Sequence, residues 1–289
     1  MKKVSLFLLL AILLTSCSRN PDFVTSSYTL SNPHSSHIFI YDLDSEELIT
    51  YSCDNTDKVF PASITKLLTA LSALDILSAD TIITPGDEVY LPAAGSSSAY
   101  IRPYHQLSLE MLIEAMMIPS GNDAAYAIAA ACGKELADDS VEYNEAIEVF
   151  VEYMNAYAAN IGCTNSNFTS PDGFSGSDHY STLADMAIIA KEATSNDIIM
   201  KYAGLSSVDV TYASGHINTW TNTNEMLDPN SKYYNDHVCG LKTGSLSKNF
   251  SLITIFDDGD TRLLIGTFGS KTDEGRYIDT QNIIFNECN

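Results

Sequence analysis

The feature that most limits the folds open to this chain is where its strand-forming stretches fall: they lie at its two ends. Near the start, HIFIYD (37–42) and ELITYS (47–52) are β-rich runs joined by a turn around Asp44 and Ser45. Late in the chain, 237–242, 250–256 and 262–268 read as three more strands, with Asp257-Asp258-Gly259-Asp260 as a hairpin turn between the last two. Between the two groups, apolar residues recur at helical spacing near 63–78, 107–118, 122–132, 142–160 and 182–194. Gly133 and Gly162 sit where helix C-caps belong, and a last helix is expected over 272–286. A sheet assembled from both ends and interrupted by a helical block is an α/β fold. The expectation is a five-stranded antiparallel sheet flanked by helices, with an inserted all-helical lobe. The chain crosses between lobe and sheet twice, so the two should share a cleft.

Ahead of the first strand the character changes. Lys2 and Lys3 precede an apolar run from Val4 to Leu14, the length of a signal-peptide core and short for a membrane span. Leu14-Thr15-Ser16-Cys17 follows and resembles the bacterial lipobox, in which the cysteine is lipidated and becomes the mature N-terminus. The expected organisation is a lipoprotein signal peptide over 1–16, a Ser/Asn/Pro-rich tether over 17–35 and one catalytic domain over 36–289. Lipidation at Cys17 would hold the protein at the outer face of a bacterial cell membrane.

Charge and cysteine content narrow the function. Fifteen basic residues against 37 acidic ones give a net charge of −22, which repels nucleic acid. Besides Cys17 there are Cys53, Cys132, Cys163, Cys239 and Cys288, an odd number with no zinc-like spacing. They read mostly as buried free thiols. Strand alternation places Cys239 and Leu241 opposite Lys242, so Cys239 is expected to be buried. No metal or cofactor is called for.

The stretch PASITKLLTA (61–70) carries a lysine on the core-facing side of a helix. On a helix starting near Ser63, Ser63 and Lys66 are neighbours, and their stripe continues through Ala70, Leu74 and Leu77. Thr65, Thr69 and Ser72 would form the opposite, polar face. Removing a lysine from water disfavours its charged form. Acting as a base near pH 7 takes a drop in pKa of about three units, or about 4 kcal/mol. A serine beside such an amine is a nucleophile beside its base, and the first turn's free N–H groups favour negative charge there. The pair alone is not diagnostic, since Ser245 and Lys248 repeat it. Two further motifs follow in order: Ser120-Gly121-Asn122 between two predicted helices, and Lys242-Thr243-Gly244 at the end of a predicted strand.

This ordered trio, S-x-x-K, S-x-N and K-T-G, resembles the penicillin-recognising serine enzymes. Within them, FPASITKLLTA, IPSGNDAAYAIAA, SPDGFSGSDHYSTLADMA and CGLKTG look most like the low-molecular-mass D-alanyl-D-alanine carboxypeptidases. The likeness runs from about His37 to the C-terminus. It implies that peptidoglycan pentapeptide stems are the substrate, with β-lactam antibiotics as covalent inhibitors. It implies that Ser63 is acylated and Lys66 is its base. Ser120 relays a proton to the departing amine, while Asn122 bonds the substrate amide and orders Lys66. Lys242 adds positive potential, and Thr243 holds the terminal carboxylate. Gly244 leads to Ser245, whose backbone N–H forms the oxyanion hole with that of Ser63. Arg276 matches a family arginine that supports carboxylate binding.

The chain departs from the family in places. An arginine that some relatives carry ahead of the Lys-Thr-Gly strand is not evident in TNTNEMLDPNSKYYN, where Thr221, Asn222 and Asn224 stand instead. About 45 residues follow Gly244, so the second β-rich domain of many relatives is not expected, and the lipobox would replace their C-terminal anchor. A serine β-lactamase would need a Glu-x-x-x-Asn motif, for which Glu142-Tyr143-Asn144 has the wrong spacing. A non-catalytic β-lactam-sensing or wall-binding lipoprotein is the alternative from another class. The intact Ser63, Lys66 and Lys242 argue against it.

Overall fold

The computed structural model describes residues 32–287 except 53–57, 139, 175 and 212–216. Cys17, Cys53 and Cys288, with the signal segment and most of the tether, lie outside the described residues. Five strands form the main sheet: β1 (His37–Asp42), β2 (Leu48–Ser52), β3 (Val238–Leu246), β4 (Asn249–Asp257) and β5 (Arg262–Ser270). Their order is β2-β1-β5-β4-β3 and every neighbouring pair is antiparallel. The first strand therefore docks on the last, from His37 opposite Phe268 to Asp42 opposite Leu263. The sheet built from both chain ends is as the sequence implies.

Strand alternation feeds two cores. Phe39 and Tyr41 of β1, with Leu264 and Phe268 of β5, join the large core on the lobe side. Ile38 and Ile40, with Leu263 and Ile265, pack on the other face against Tyr277, Ile283 and Ile284. Those three belong to the last helix, Asp273–Glu287. The molecule is thus three layers, helix, sheet and helical lobe, with both sheet faces buried.

The lobe contains α1 (Lys66–Ile76), α2 (Leu109–Met117), α3 (Asn122–Leu136), α4 (Tyr143–Asn160), α5 (Leu183–Thr194) and α6 (Asp197–Ala203); the last helix is α7. α1 runs through its centre. The expected polar face of α1 is not at the surface: Thr65, Thr69 and Ser72 are as buried as the leucines. A helix enclosed on all sides has no solvent face to display. Thr69 Oγ1 instead donates to the Pro171 carbonyl at 2.6 Å.

Two further readings are corrected. Gly133 is not a C-cap, because α3 continues to Leu136. A Cβ there would lie 1.8 Å from the Ala146 carbonyl oxygen, so Gly133 is where α3 and α4 cross. Gly162, by contrast, does end its helix, with φ +108° just past α4 and Cys163 N–H donating back to Ala158 O at 2.9 Å. Cys239 is exposed while Cys132 and Cys163 are buried. Thr254 pairs with Leu241 but Phe256 pairs with Val238, so β3 carries one extra residue there. This bulge, at Gly240 with φ +114°, breaks the alternation that would have buried the thiol. Finally, α6 and the hairpin of Ser207–Thr211 with Ile217–Thr221 were not read from the sequence. Each hairpin strand fully buries one residue, Val210 or Trp220.

Gly133→Ala should lower stability by about 2–3 kcal/mol through backbone overpacking, read from urea unfolding against the unsubstituted chain.

Candidate active site

The segment before α1 is a 3₁₀ turn, Ala62–Thr65, rather than the expected α-helical start. In a 3₁₀ turn, side chains three apart eclipse. That brings Lys66 Nζ within 2.8 Å of Ser63 Oγ. Ala62 enters the turn at φ +49°, a left-handed conformation that alanine adopts only under constraint. Two glycines supply the constraint. A Cβ on Gly173 would lie 1.9 Å from Ala62 O, and one on Gly244 would lie 2.5 Å from Pro61 O. Gly244 is therefore a flat spot within β3, which continues to Leu246, and not a terminal turn. From beneath, Thr65 Oγ1 meets His179 Nε2 at 2.8 Å. Thr169 N–H donates to His179 Nδ1 at 3.0 Å, so in the neutral ring Nε2 carries the proton and donates to Thr65. Burial holds His179 near a pKa of about 4, keeping it neutral.

Lys66 is completely buried. Its ammonium donates to Ser63 Oγ at 2.8 Å, Asn122 Oδ1 at 2.6 Å and the Asp172 carbonyl at 3.2 Å. Desolvation pulls its pKa down to about 8, against the upward pull of the Asp172 and Asp123 charges. Asp172 was not singled out in advance, although it lies in the family-like segment SPDG (170–173).

Across the cleft, Lys242 Nζ donates to Ser120 Oγ at 2.9 Å and to the Thr243 carbonyl at 3.2 Å. It too is buried, and its pKa lies well below the ordinary lysine value. Desolvation is the largest cause, followed by the charges of Lys66 and Arg276. Ser120 stands at φ +61°, with its side chain turned to this amine. Gly121 leaves no room for a Cβ, which would lie 2.7 Å from Ala115 O. Asn122 N–H donates to Ser97 O at 2.9 Å. The next residue, Asp123, is buried and binds the same loop. Its carboxylate accepts from Ala99 N–H at 2.9 Å, Ile101 N–H at 2.8 Å, Ser98 Oγ at 2.7 Å and Ala124 N–H at 3.0 Å.

The far end of the cleft is made by β3 and α7. Thr243 and Thr223 hydroxyls are hydrogen-bonded to each other. Arg276 is buried, donating to Gly244 O at 3.1 Å, Ser251 O at 3.0 Å and Tyr277 Oη at 3.1 Å, and it pairs with Asp273. Tyr277 Oη in turn donates to Thr223 O at 3.0 Å. Ser63, Ser97, Ser120, Thr243, Ser245 and Arg276 all line a cleft of about 360 Å³. Lys66, Asn122 and Lys242 are buried beside it, Lys66 bonded to Ser63 and Asn122, and Lys242 to Ser120. Of the sequence-selected residues within the described chain, all converge here. Asn222 lines the cleft but spends its amide on Ala203 O and Leu205 O. Thr223, Glu225 and Asp273 complete the lining and were missed, since nothing in their local sequence marks them.

Residues 25–272 match the family model described as D-alanyl-D-alanine carboxypeptidase. The chain belongs to this family. Among its relatives, the D-alanyl-D-alanine carboxypeptidase DacC of Escherichia coli (strain K12) is 30% identical over 242 residues, covering 79% of this chain and 55% of that protein. DacF of Bacillus subtilis (strain 168) is 28% identical, covering 82% of this chain and 58% of that protein. The chain thus spans a little over half the length of these curated relatives. The crystal structure of the Streptomyces K15 DD-transpeptidase shares the fold, with a TM-score of 0.78 at 24% identity, covering 89% of this chain and 98% of that one. In this family member, then, the three motifs occupy one cleft at the junction of sheet and lobe.

Asp123→Asn replaces an acceptor of four hydrogen bonds with a group that presents N–H to N–H. It should cost about 2–4 kcal/mol of stability, measured by urea unfolding, and should loosen the Ser97–Ile101 loop in hydrogen exchange.

Proposed function

We propose that this chain is a serine-type D-alanyl-D-alanine carboxypeptidase. It removes the terminal D-alanine of peptidoglycan pentapeptide stems through an acyl-serine intermediate and is inhibited by β-lactams, which acylate the same serine. The observation that carries this reading is the buried Lys66 amine, 2.8 Å from Ser63 Oγ at the floor of a cleft whose other wall is Lys242 and Ser120.

Ser63 Oγ attacks the carbonyl of the penultimate residue while Lys66 Nζ takes its proton. The oxyanion is held by the backbone N–H groups of Ser63 and Ser245; losing one such donor typically costs about 3 kcal/mol of barrier. On collapse, the C–N bond breaks and D-alanine leaves as an amine, with its proton relayed through Ser120 beside Lys242. Water then attacks the ester, with Lys66 again accepting the proton, and Ser63 is restored. Asn122 orders Lys66 and bonds the stem amide. Thr243, with Arg276 behind it, receives the terminal carboxylate. A β-lactam enters the same sequence by opening its ring on Ser63.

The site needs no cofactor for this chemistry. The protein works outside the cytoplasm, anchored through a lipid on Cys17 after removal of residues 1–16. The lipobox-like Leu14-Thr15-Ser16-Cys17 supports that part of the reading. Cys17→Ala should move the protein from the detergent to the aqueous phase on partitioning; an unchanged distribution would refute lipidation.

The deciding experiment is D-alanine release from diacetyl-Lys-D-Ala-D-Ala, with covalent penicillin labelling, by the full chain and by Ser63→Ala. Both activities should vanish in the variant. In the unsubstituted chain, acylation should rise with pH and level off above about 8, because the amine becomes a free base only above its pKa. Labelling that persists in Ser63→Ala would give the nucleophile's role to another residue.

A further inference from the structure

The end of the cleft that would receive a carboxylate already holds one. Arg276 is the cation at that end, and Asp273, one helical turn earlier on α7, is ion-paired to it. The two partners are not equally free. Arg276 is 4% exposed and fixed by its bonds to Gly244 O and Ser251 O. The Asp273 side chain is 49% exposed and lines the cleft. If one of them moves, it is Asp273.

The surroundings sharpen the conflict. Glu225 also lines this end and brings a second carboxylate. Thr223 contributes a neutral hydroxyl, hydrogen-bonded to Thr243. The Lys242 ammonium is taken up by Ser120 Oγ and Thr243 O. Arg276 Nε is buried without a partner among the described residues, so the guanidinium is not saturated by its present contacts. A peptide carboxylate arriving beside Thr243 therefore meets a cation that is already neutralised, in a wall carrying two negative groups. Like charges at this range disfavour binding, and more so where one partner is dry.

We propose that Asp273 is a specificity-determining residue that competes with the substrate's terminal carboxylate for Arg276. It holds the guanidinium in the free protein and swings toward solvent when a carboxylate-ended ligand binds. Its effect is to weaken the preference for carboxylate-ended acyl donors over neutral ones. This inference rests on the carboxypeptidase reading above. The plain structural role for Asp273, a favourable acidic group in the first turn of a helix, makes a different forecast. It affects stability and treats all acyl donors alike.

The test compares the full chain with Asp273→Asn and Asp273→Ser, which both suit a helix start. Two acyl donors are used: benzylpenicillin, which carries a carboxylate, and an N-acyl-D-alanine methyl thioester, which does not. In both variants the second-order acylation rate with penicillin should rise about three- to tenfold, as expected for removing one competing partly exposed charge. KM for diacetyl-Lys-D-Ala-D-Ala should fall by a similar factor, and the thioester rate should stay within about twofold. The gain should shrink as salt is raised. Equal changes for both donors, or slower penicillin acylation, would overturn the proposal and leave Asp273 as a residue that positions Arg276. Loss of folding in both variants, seen by circular dichroism, would overturn it as well. If the unsubstituted chain reacts with none of these donors, the carboxypeptidase reading itself fails and this inference fails with it. A reactive parent whose variants show no donor-dependent gain sinks the Asp273 proposal alone.

Discussion

The burial of one amine, that of Lys66, organises this molecule. An ammonium taken from water needs acceptors on every side, and each of its three comes from a different part of the chain. Ser63 lies in the preceding turn, Asn122 starts α3, and the Asp172 carbonyl belongs to the loop before α5. Those contacts fix where α3 and the 170–173 loop must sit relative to α1. Desolvation and the charges of Asp123 and Asp172 pull in opposite directions on the same proton. The balance near 8 leaves an amine that is basic enough to accept a proton, with its free base a minor but accessible form at neutral pH. Lys242 stands in the same dry region, and the Lys66 charge adds to the desolvation that disfavours its charged form. The two amines thus share the task of carrying positive charge behind a single cleft.

Close backbone approach sets the rest of the geometry. The turn holding Ser63 is pressed between Gly173 and Gly244, one from the lobe and one from the sheet. Neither glycine needs to touch a substrate to matter. They let two walls close on a left-handed alanine that would otherwise relax. Asp123 does the equivalent work on the opposite wall. It ties the loop that carries Ser97 to the helix that carries Asn122, so both edges of the cleft are held by buried groups.

Much of this was legible in the sequence because it depends on local order. Strand-rich ends around a helical block gave the sheet and its inserted lobe. The three short motifs fell on elements where their side chains converge. What failed to show was set by tertiary surroundings. Thr65, Thr69 and Ser72 look like a solvent face, but α1 is enclosed, and Thr65 and Thr69 bond the His179 ring and the Pro171 carbonyl instead of water. Gly133 looks like a stop signal, but it is a crossing point for α4. Cys239 should have been buried by alternation, and an extra residue at Gly240 turned it outward. Thr223, Glu225 and Asp273 carry no motif at all. They are brought to the cleft by strand and helix placement alone.

The pairing of β1 with β5 has a consequence for how the molecule comes into being. The N–H groups of His34 and Ser35 also reach across to the Asp279 carboxylate, at 3.0 and 2.7 Å. The beginning of the domain is thus sealed by its end. While the chain is being made, β1 and β2 have no third strand to lean on, and a two-stranded ribbon is marginal alone. Ser63 and Lys66 emerge early, but the strand bearing Lys242 comes nearly at the close. Contacts this distant in sequence form late and slowly. The cleft has no existence as a partial structure: it appears only when β5 joins β1 to β4 and β3.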